Sequence, residues 1–166
     1  EKKMGFDFIR IFGSGGFATP NDDPQDIQLN DAEFAAIFST AKDLRIPVTA
    51  HAYAPGMMQK LLSYDIFCME HGALMDKETA KMVEDKGTYL VPTFMPYEDI
   101  VHQNEESLSK KSDFFKRKLQ KYQQRLQDAR EIIINSKIKL GYGTDIVDVY
   151  NNYESGWEYN CWLNNG

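Results

Sequence analysis

Two histidines and an aspartate carry the chemistry this sequence offers. His51 ends the short apolar run Val48-Thr49-Ala50, and His71 ends a second run that starts Ile66-Phe67-Cys68-Met69. Asp145 closes Ile138-Lys139-Leu140-Gly141-Tyr142-Gly143-Thr144 far downstream. Imidazole nitrogens and a carboxylate at neighbouring strand ends are good ligands for Zn²⁺ or a similar divalent ion. Between the histidines, Met57, Met58, Leu61 and Leu62 fall on one face of a helical pattern. Strand, helix and strand within residues 46–72 form a βαβ unit, whose strands are parallel. Parallel strands share one C-terminal edge, so His51 and His71 emerge on the same side of the sheet, where α/β folds build their sites.

The chain has 166 residues, enough for a single domain over 1–166 with a sizeable core. Its net charge of −6 argues against nucleic acid as a partner, because phosphate binding needs a basic face. No apolar run approaches the ~20 residues that span a bilayer, so no membrane partner is expected. The start, Glu1-Lys2-Lys3-Met4-Gly5, carries no signal pattern and reads as the middle of something longer. Two cysteines make no disulfide framework, and Cys68 reads as a small apolar filler of its strand. A reduced, cytoplasmic setting is the expectation.

Around the histidines, the elements follow in order. Phe6 to Phe12 reads as a strand that stops at Gly13-Ser14-Gly15-Gly16. That glycine run matches neither phosphate-binding spacing and reads as a flexible loop over the sheet edge. Phe34, Ile37, Phe38, Ala41 and Leu44 mark an amphipathic helix capped by Asn30 or Asp31. Asp76 caps a helix ending at Gly87, and Thr88 to Phe94 is a further strand despite Pro92. Phe115, Leu119, Tyr122, Leu126, Ala129 and Ile133 define one long helix over about 106–136. Its apolar stripe is expected to pack on the sheet, with the Lys110 to Lys121 charge cluster as its solvated face. A last strand runs from Ile138 to Gly143, and a terminal helix from Glu154 to Leu163.

These elements look like the second part of a (β/α)₈ barrel, an α/β fold. The segments FDFIRIFGSGG, VTAHAYAPGM, CMEHGALMD, LVPTF and LGYGTD resemble, in order, those of the amidohydrolase superfamily. Within it the likeness is to the branch of imidazolonepropionase-like and Xaa-Pro-dipeptidase-like hydrolases. The resemblance implies a partial TIM-type barrel of about five parallel strands, barrel strands 4–8, with helices and one long inserted helix. It implies His51 and His71 as metal ligands, and Asp145 as a ligand that also takes the proton from the attacking water. It implies a divalent metal, Zn²⁺ first, in a longer parent protein, and a small-molecule amide or peptide substrate there. Arg10, Tyr53 and Tyr142 would line the substrate pocket, although packing serves equally for the tyrosines. Two departures stand out. No His-x-His pair is present, and Arg10 occupies the place where relatives carry a carboxylated lysine. A guanidinium stays protonated and forms no carbamate, which argues against a two-metal centre. His102, the remaining histidine, reads as a surface residue, and Glu70 as facing away from the side of His71.

Two functional expectations follow. One is part of a metal-dependent amidohydrolase cleaving C–N bonds, inactive as this chain alone and holding metal weakly or not at all. The other is a degenerate, non-catalytic binding or structural domain. Either way, five barrel strands leave two open edges, at Phe6–Phe12 and Ile138–Gly143. Inward residues, with Phe8, Val48 and Leu140 as candidates, would lose partners, so a homodimer through the exposed edges is expected unless the long helix covers the gap.

Overall fold

A computed structural model describes residues 2–98, 105–145 and 156–163. His102 and the loop after Asp145 lie outside the described residues. The chain alternates strands and helices: β1 (Ile9–Phe12), α1 (Asp31–Leu44), β2 (Val48–Ala52), α2 (Pro55–Leu62), β3 (Cys68–His71), α3 (Lys77–Lys86) and β4 (Tyr89–Val91). Then come α4 (Glu105–Ser109), α5 (Asp113–Ile134), β5 (Lys139–Leu140) and α6 (Trp157–Leu163). The five strands form one sheet in the order β1-β2-β3-β4-β5, all parallel, as a partial barrel requires. The outer strands are the two expected edges.

Local chemistry sets the helix ends. Asn30 and Glu33 form a reciprocal capping box at the start of α1. Arg45 ends α1 in the left-handed region, with Pro47 forbidding continuation. Asp76 caps α3 by accepting the Thr79 N–H, and Gly87 at φ 67° ends it. Pro55 stands at the first turn of α2, where its missing N–H costs nothing. No helix among the described residues is long and apolar enough to cross a membrane.

Register decides which face is core. Ile9 pairs with Val48 and Leu90 with Leu140, and these side chains pack with Phe34, Met58 and Ile133 under the helices. Val48 and Leu140 therefore face the helix layer, not the barrel interior. The alternation of a strand puts Phe8, Arg10, Phe12, Thr49 and Glu70 on the interior side. Phe8 is 53% and Phe12 60% exposed there.

The helix expected over about 106–136 is broken between Ser109 and Asp113, and the stripe on α5 is buried from Leu119 to Ile133 with Phe115 half-buried. Ala129 and Ile133 join the main core, whereas Leu119, Tyr122 and Leu126 pack with Phe17, Tyr53 and Leu74 above the strand ends. The helix thus lies over the outer layer and the loops, and the interior phenylalanines stay exposed. The Lys110 to Lys121 cluster is not wholly a solvated face, because Lys118 is buried.

Leu90 is fully buried on β4, between β3 and β5. Leu90→Ala is expected to destabilise the fold by about 2–5 kcal/mol. A urea melt followed by circular dichroism checks this; a change under ~1 kcal/mol would place Leu90 outside the core.

Candidate functional site

The C-terminal edge of the sheet collects His51 from β2, His71 from β3, Thr93 beyond β4 and Asp145 beyond β5. His71, Thr93 and Asp145 all hold positive φ, at 74°, 46° and 48°. Side chains other than glycine rarely adopt this conformation, and each such residue costs of order 1–3 kcal/mol. The turn has a steric result. His71 pairs in register with Ala52, whose side chain faces the helices, yet its left-handed backbone swings the imidazole over the interior edge. Glu70 also faces the interior, where its carboxylate accepts from Arg10 Nε at 2.8 and 3.0 Å. The simple alternation that would send Glu70 away from His71 fails because His71 breaks it.

Hydrogen bonds fix the protons on both rings. The Gly15 carbonyl can only accept, so His51 Nε2–H donates to it across 3.2 Å. His51 Nδ1 is then a lone pair, which accepts from His71 Nε2–H at 2.9 Å. His71 Nδ1 accepts in turn from the Thr93 hydroxyl at 2.7 Å. Asp145 Oδ2 stands 4.0 Å from His71 Nδ1, beyond hydrogen-bond range. Burial lowers the His51 pKa from its ordinary 6.5, against the opposing bond to Gly15. Burial, His51 and Arg10 together hold His71 well below 6.5. Burial raises the Asp145 carboxyl from 3.8, against the pull of His51 and Arg10. Both rings are neutral, the state in which imidazole binds metal.

The surroundings hold these groups still. Tyr53 stacks on His71 with ring centres 4.7 Å apart and meets His51 edge-on. Its hydroxyl accepts from Tyr97, and burial pushes both phenols up, so both stay neutral. Glu158 of α6, fully buried, accepts the N–H groups of Phe94 and Met95 and so secures the loop that carries Thr93. In the glycine loop, Gly13 and Ser14 N–H groups donate to the His51 carbonyl, Gly15 N–H to Asp26 and Gly16 N–H to Asp22. Four successive amides are spent within the protein, so the loop offers no phosphate cradle. A Cβ on Gly15 would lie 2.3 Å from the Asp23 carbonyl, so only glycine fits.

The donor set fits a divalent cation in part. Tetrahedral bonds of ~2.0–2.1 Å place two ligand nitrogens about 3.3 Å apart. His51 Nδ1 and His71 Nε2, 2.9 Å apart, need separate by only a few tenths of an ångström. The His71 proton would then sit on Nδ1, with Thr93 Oγ1 as its acceptor. Among the described residues no three His, Cys, Asp or Glu side chains converge on one point suited to a metal. The imidazole pair alone does not close a four-coordinate site.

A cleft of ≈ 360 Å³ opens beside this cluster, lined among others by Arg10, Phe12, Phe17, His51, Tyr53 and Asp145. Tyr142 does not line it; it is 59% exposed and leans toward Trp162. A second hollow, ≈ 500 Å³, lies at the opposite strand ends between Arg45, Pro47 and Tyr89, away from both histidines. Sequence reasoning missed Thr93, Glu158 and the Gly15 carbonyl. Thr93 follows Pro92 at a strand end, which was a usable signal, but a backbone acceptor leaves no side-chain trace.

Stability should depend on pH with a definite sign. Both histidines have folded pKa values below 6.5, so the unfolded chain binds more protons under that pH. Stability is complete above about 6.5 and falls as pH drops through it. Asp145, with its raised pKa, acts oppositely and only in the lower window from about 3.8 upward. Moving the metal-free chain from about pH 7.5 to about 5.5 is expected to cost about 1–3 kcal/mol in a urea melt. His51→Gln should flatten that dependence. A pH-independent midpoint would contradict two buried neutral rings.

No family model matches the chain. An ochratoxinase from Aspergillus niger is 25% identical over 143 residues, covering 86% of this chain and 29% of that protein. The chain thus spans less than a third of the curated relative's length. A solved amidohydrolase matches with TM-score 0.73 and 32% identity, over 88% of this chain and 35% of that one. A prolidase complexed with N-methylphosphonate-L-proline matches with TM-score 0.73 and 29% identity, over the same 88% and 35%. In sequence and in fold together, the chain is similar to part of the barrel of amidohydrolase-superfamily proteins.

Proposed function

We propose that these residues form one wall of the active site of a metal-dependent amidohydrolase that cleaves C–N bonds in amide, peptide-like or cyclic amide substrates. The observation that carries it is the convergence of His51 Nδ1 and His71 Nε2 at the C-terminal sheet edge. The prolidase and ochratoxinase likenesses support the reaction class. His51 and His71 would hold the cation, and Asp145 would complete its ligands from the third strand end. Bound there, Zn²⁺ or a similar ion supplies Lewis acidity and makes an attacking water acidic near neutral pH. Asp145 would take the water's proton and return it to the leaving nitrogen. Tyr53 and Tyr97 keep bulk water from the back of the imidazoles. Thr93 orients His71 through Nδ1.

Arg10 favours a second reading. Its guanidinium, paired to Glu70 on the interior face, puts fixed positive charge beside the candidate ligands. A non-catalytic barrel domain that kept the imidazole pair as packing would look the same at this edge. The test is hydrolysis of dipeptides and cyclic amides by the full-length protein supplied with Zn²⁺, Mn²⁺ or Co²⁺. Turnover that falls about 10²–10⁴-fold in Asp145→Asn, and is lost in His71→Ala, is the expected result. Absence of turnover with every metal would leave the non-catalytic reading.

The 166-residue chain by itself is proposed to hold metal weakly, with two imidazoles and one displaced carboxylate. Elemental analysis after dialysis should find well under one equivalent. The chain alone is also proposed to self-associate through its open edges and the interior Phe8 and Phe12. Light scattering at micromolar concentration should show a dimer; a monomer with a cooperative melt would defeat this.

A further inference from the structure

We infer that Lys118 is a positioning residue for His51: by gripping the glycine loop from α5, its ammonium fixes where the Gly15 carbonyl stands and so which nitrogen of His51 carries the proton. The inference rests on the proposed function only for its consequence, since the tautomer itself is a property of the metal-free chain.

The geometry is specific. Lys118 is only 9% exposed, although it lies in the most heavily charged stretch of the helix. Its Nζ donates to the Gly16 carbonyl at 2.6 Å, the Thr19 carbonyl at 2.5 Å and Asp22 Oδ1 at 2.9 Å. An ammonium has three N–H donors, and all three are spent on one loop. Asp22 is gripped from the loop's own side as well, by the Thr19 hydroxyl and the Gly16 N–H. Burial opposes ionisation of Asp22, yet the bonds from Thr19, Lys118 and Gly16 still hold its carboxyl below the ordinary value. Gly16 adjoins Gly15, whose carbonyl accepts the His51 proton. A Cβ placed on Gly16 would come within 4.0 Å of His51 Nε2, so the backbone held by Lys118 is the wall against that ring.

Backbone bonds hold the loop's amides, Gly15 N–H to Asp26 among them, but the neighbouring side-chain contacts do not substitute for this grip on its carbonyls. Lys121 pairs with Asp23 at 2.7 Å, but its side chain is largely exposed, and such pairs contribute little. Tyr122 accepts from Gln25 Nε2 and donates to Asp23 Oδ1, so these bonds go to side chains of residues 23–25 and not to the Gly15 or Gly16 carbonyl. A buried ammonium with three acceptors is another matter, because its loss removes one donor from both the Gly16 and Thr19 carbonyls and the countercharge from Asp22. Leu119, fully buried beside it, anchors the helix against the same cluster that holds Tyr53. Residues about a hundred positions apart are thereby coupled: the helix sets the loop, the loop sets the carbonyl, and the carbonyl sets the imidazole. The consequence is that His51 Nδ1 stays a lone pair, aimed at the point where a cation would be shared with His71.

The experiment reads the tautomer directly. The metal-free chain, labelled with ¹⁵N at histidine, is observed by long-range ¹H–¹⁵N correlation near neutral pH. His51 should show the Nε2–H pattern. Lys118→Met should move the two His51 nitrogen shifts toward each other while circular dichroism stays native. Lys121→Met should leave them unchanged. A folded Lys118→Met chain with an unshifted His51, or an equal shift in Lys121→Met, overturns the inference. Should Lys118→Met fail to fold, Lys118→Gln, which retains N–H donors without the charge, is judged by the same two criteria. In the full-length protein, Lys118→Met should also weaken Zn²⁺ binding about 10–100-fold, as loss of an orienting partner does. A tautomer shift with no change in Zn²⁺ affinity would sink the metal reading of His51 and leave the positioning role intact.

Discussion

The parallel register of β2 and β3 is the constraint on which the rest depends. Ala52 opposite His71, and His51 opposite Glu70, stagger the two histidines by one residue along the edge. With straight strands, that stagger would point the rings to opposite faces of the sheet. The left-handed turn at His71 removes the conflict and lets two rings from adjacent strands meet nitrogen to nitrogen. Everything else at the edge is arranged around that meeting. Gly15 and Thr93 cap the two ends of the imidazole pair, Tyr53 backs it, and the Arg10–Glu70 pair lies on the interior face below.

This arrangement has two supports of unequal kind. Beneath it, apolar packing of the sheet against α1, α2, α3 and the C-terminal half of α5 holds the strands in register. Above it, polar grips from α5 hold the loops, with Lys118 on the glycine loop and Arg125 on the Leu74 carbonyl. The one long helix serves both layers because its stripe changes partners partway along, from Ile133 in the main core to Leu119 in the upper cluster. Packing energy is insensitive to small rotations, whereas hydrogen bonds to a loop are not. The division therefore places tolerance in the core and geometric demand at the edge.

Much of this was legible in the residues. The βαβ reading of residues 46–72 follows from periodicity and predicts parallel strands with both histidines at one edge. The capping signals at Asn30, Asp76 and Gly87 mark helix ends where the structure has them. What was not legible depended on backbone conformation. Strand alternation misplaced Val48, Leu140 and Glu70, since it needs a known starting face and an unbroken strand. A charged stretch on a helix reads as solvated, and nothing in the spacing of Lys118 distinguishes it from Lys121. Only the folded position of a loop about a hundred residues earlier does that. The Gly15 carbonyl belongs to a residue with no side chain to notice.

The left-handed residues at the strand ends set fold and chemistry against each other. Glycine would relieve the backbone at His71, Thr93 and Asp145, by of order 1–2 kcal/mol at each. Thr93 is the most expensive of the three, since its branched Cβ is least suited to positive φ. A designer optimising this sequence for its own backbone would replace these residues first. The backbone would relax, but the chain would lose an imidazole, a hydroxyl and a carboxylate from one edge, and the cavity and unpaired groups left at buried His71 and Thr93 would offset the gain. Backbone ease and the chemistry of this edge are thus alternatives at the same three positions, and a stabilised variant that keeps its function must find its gains elsewhere in the fold.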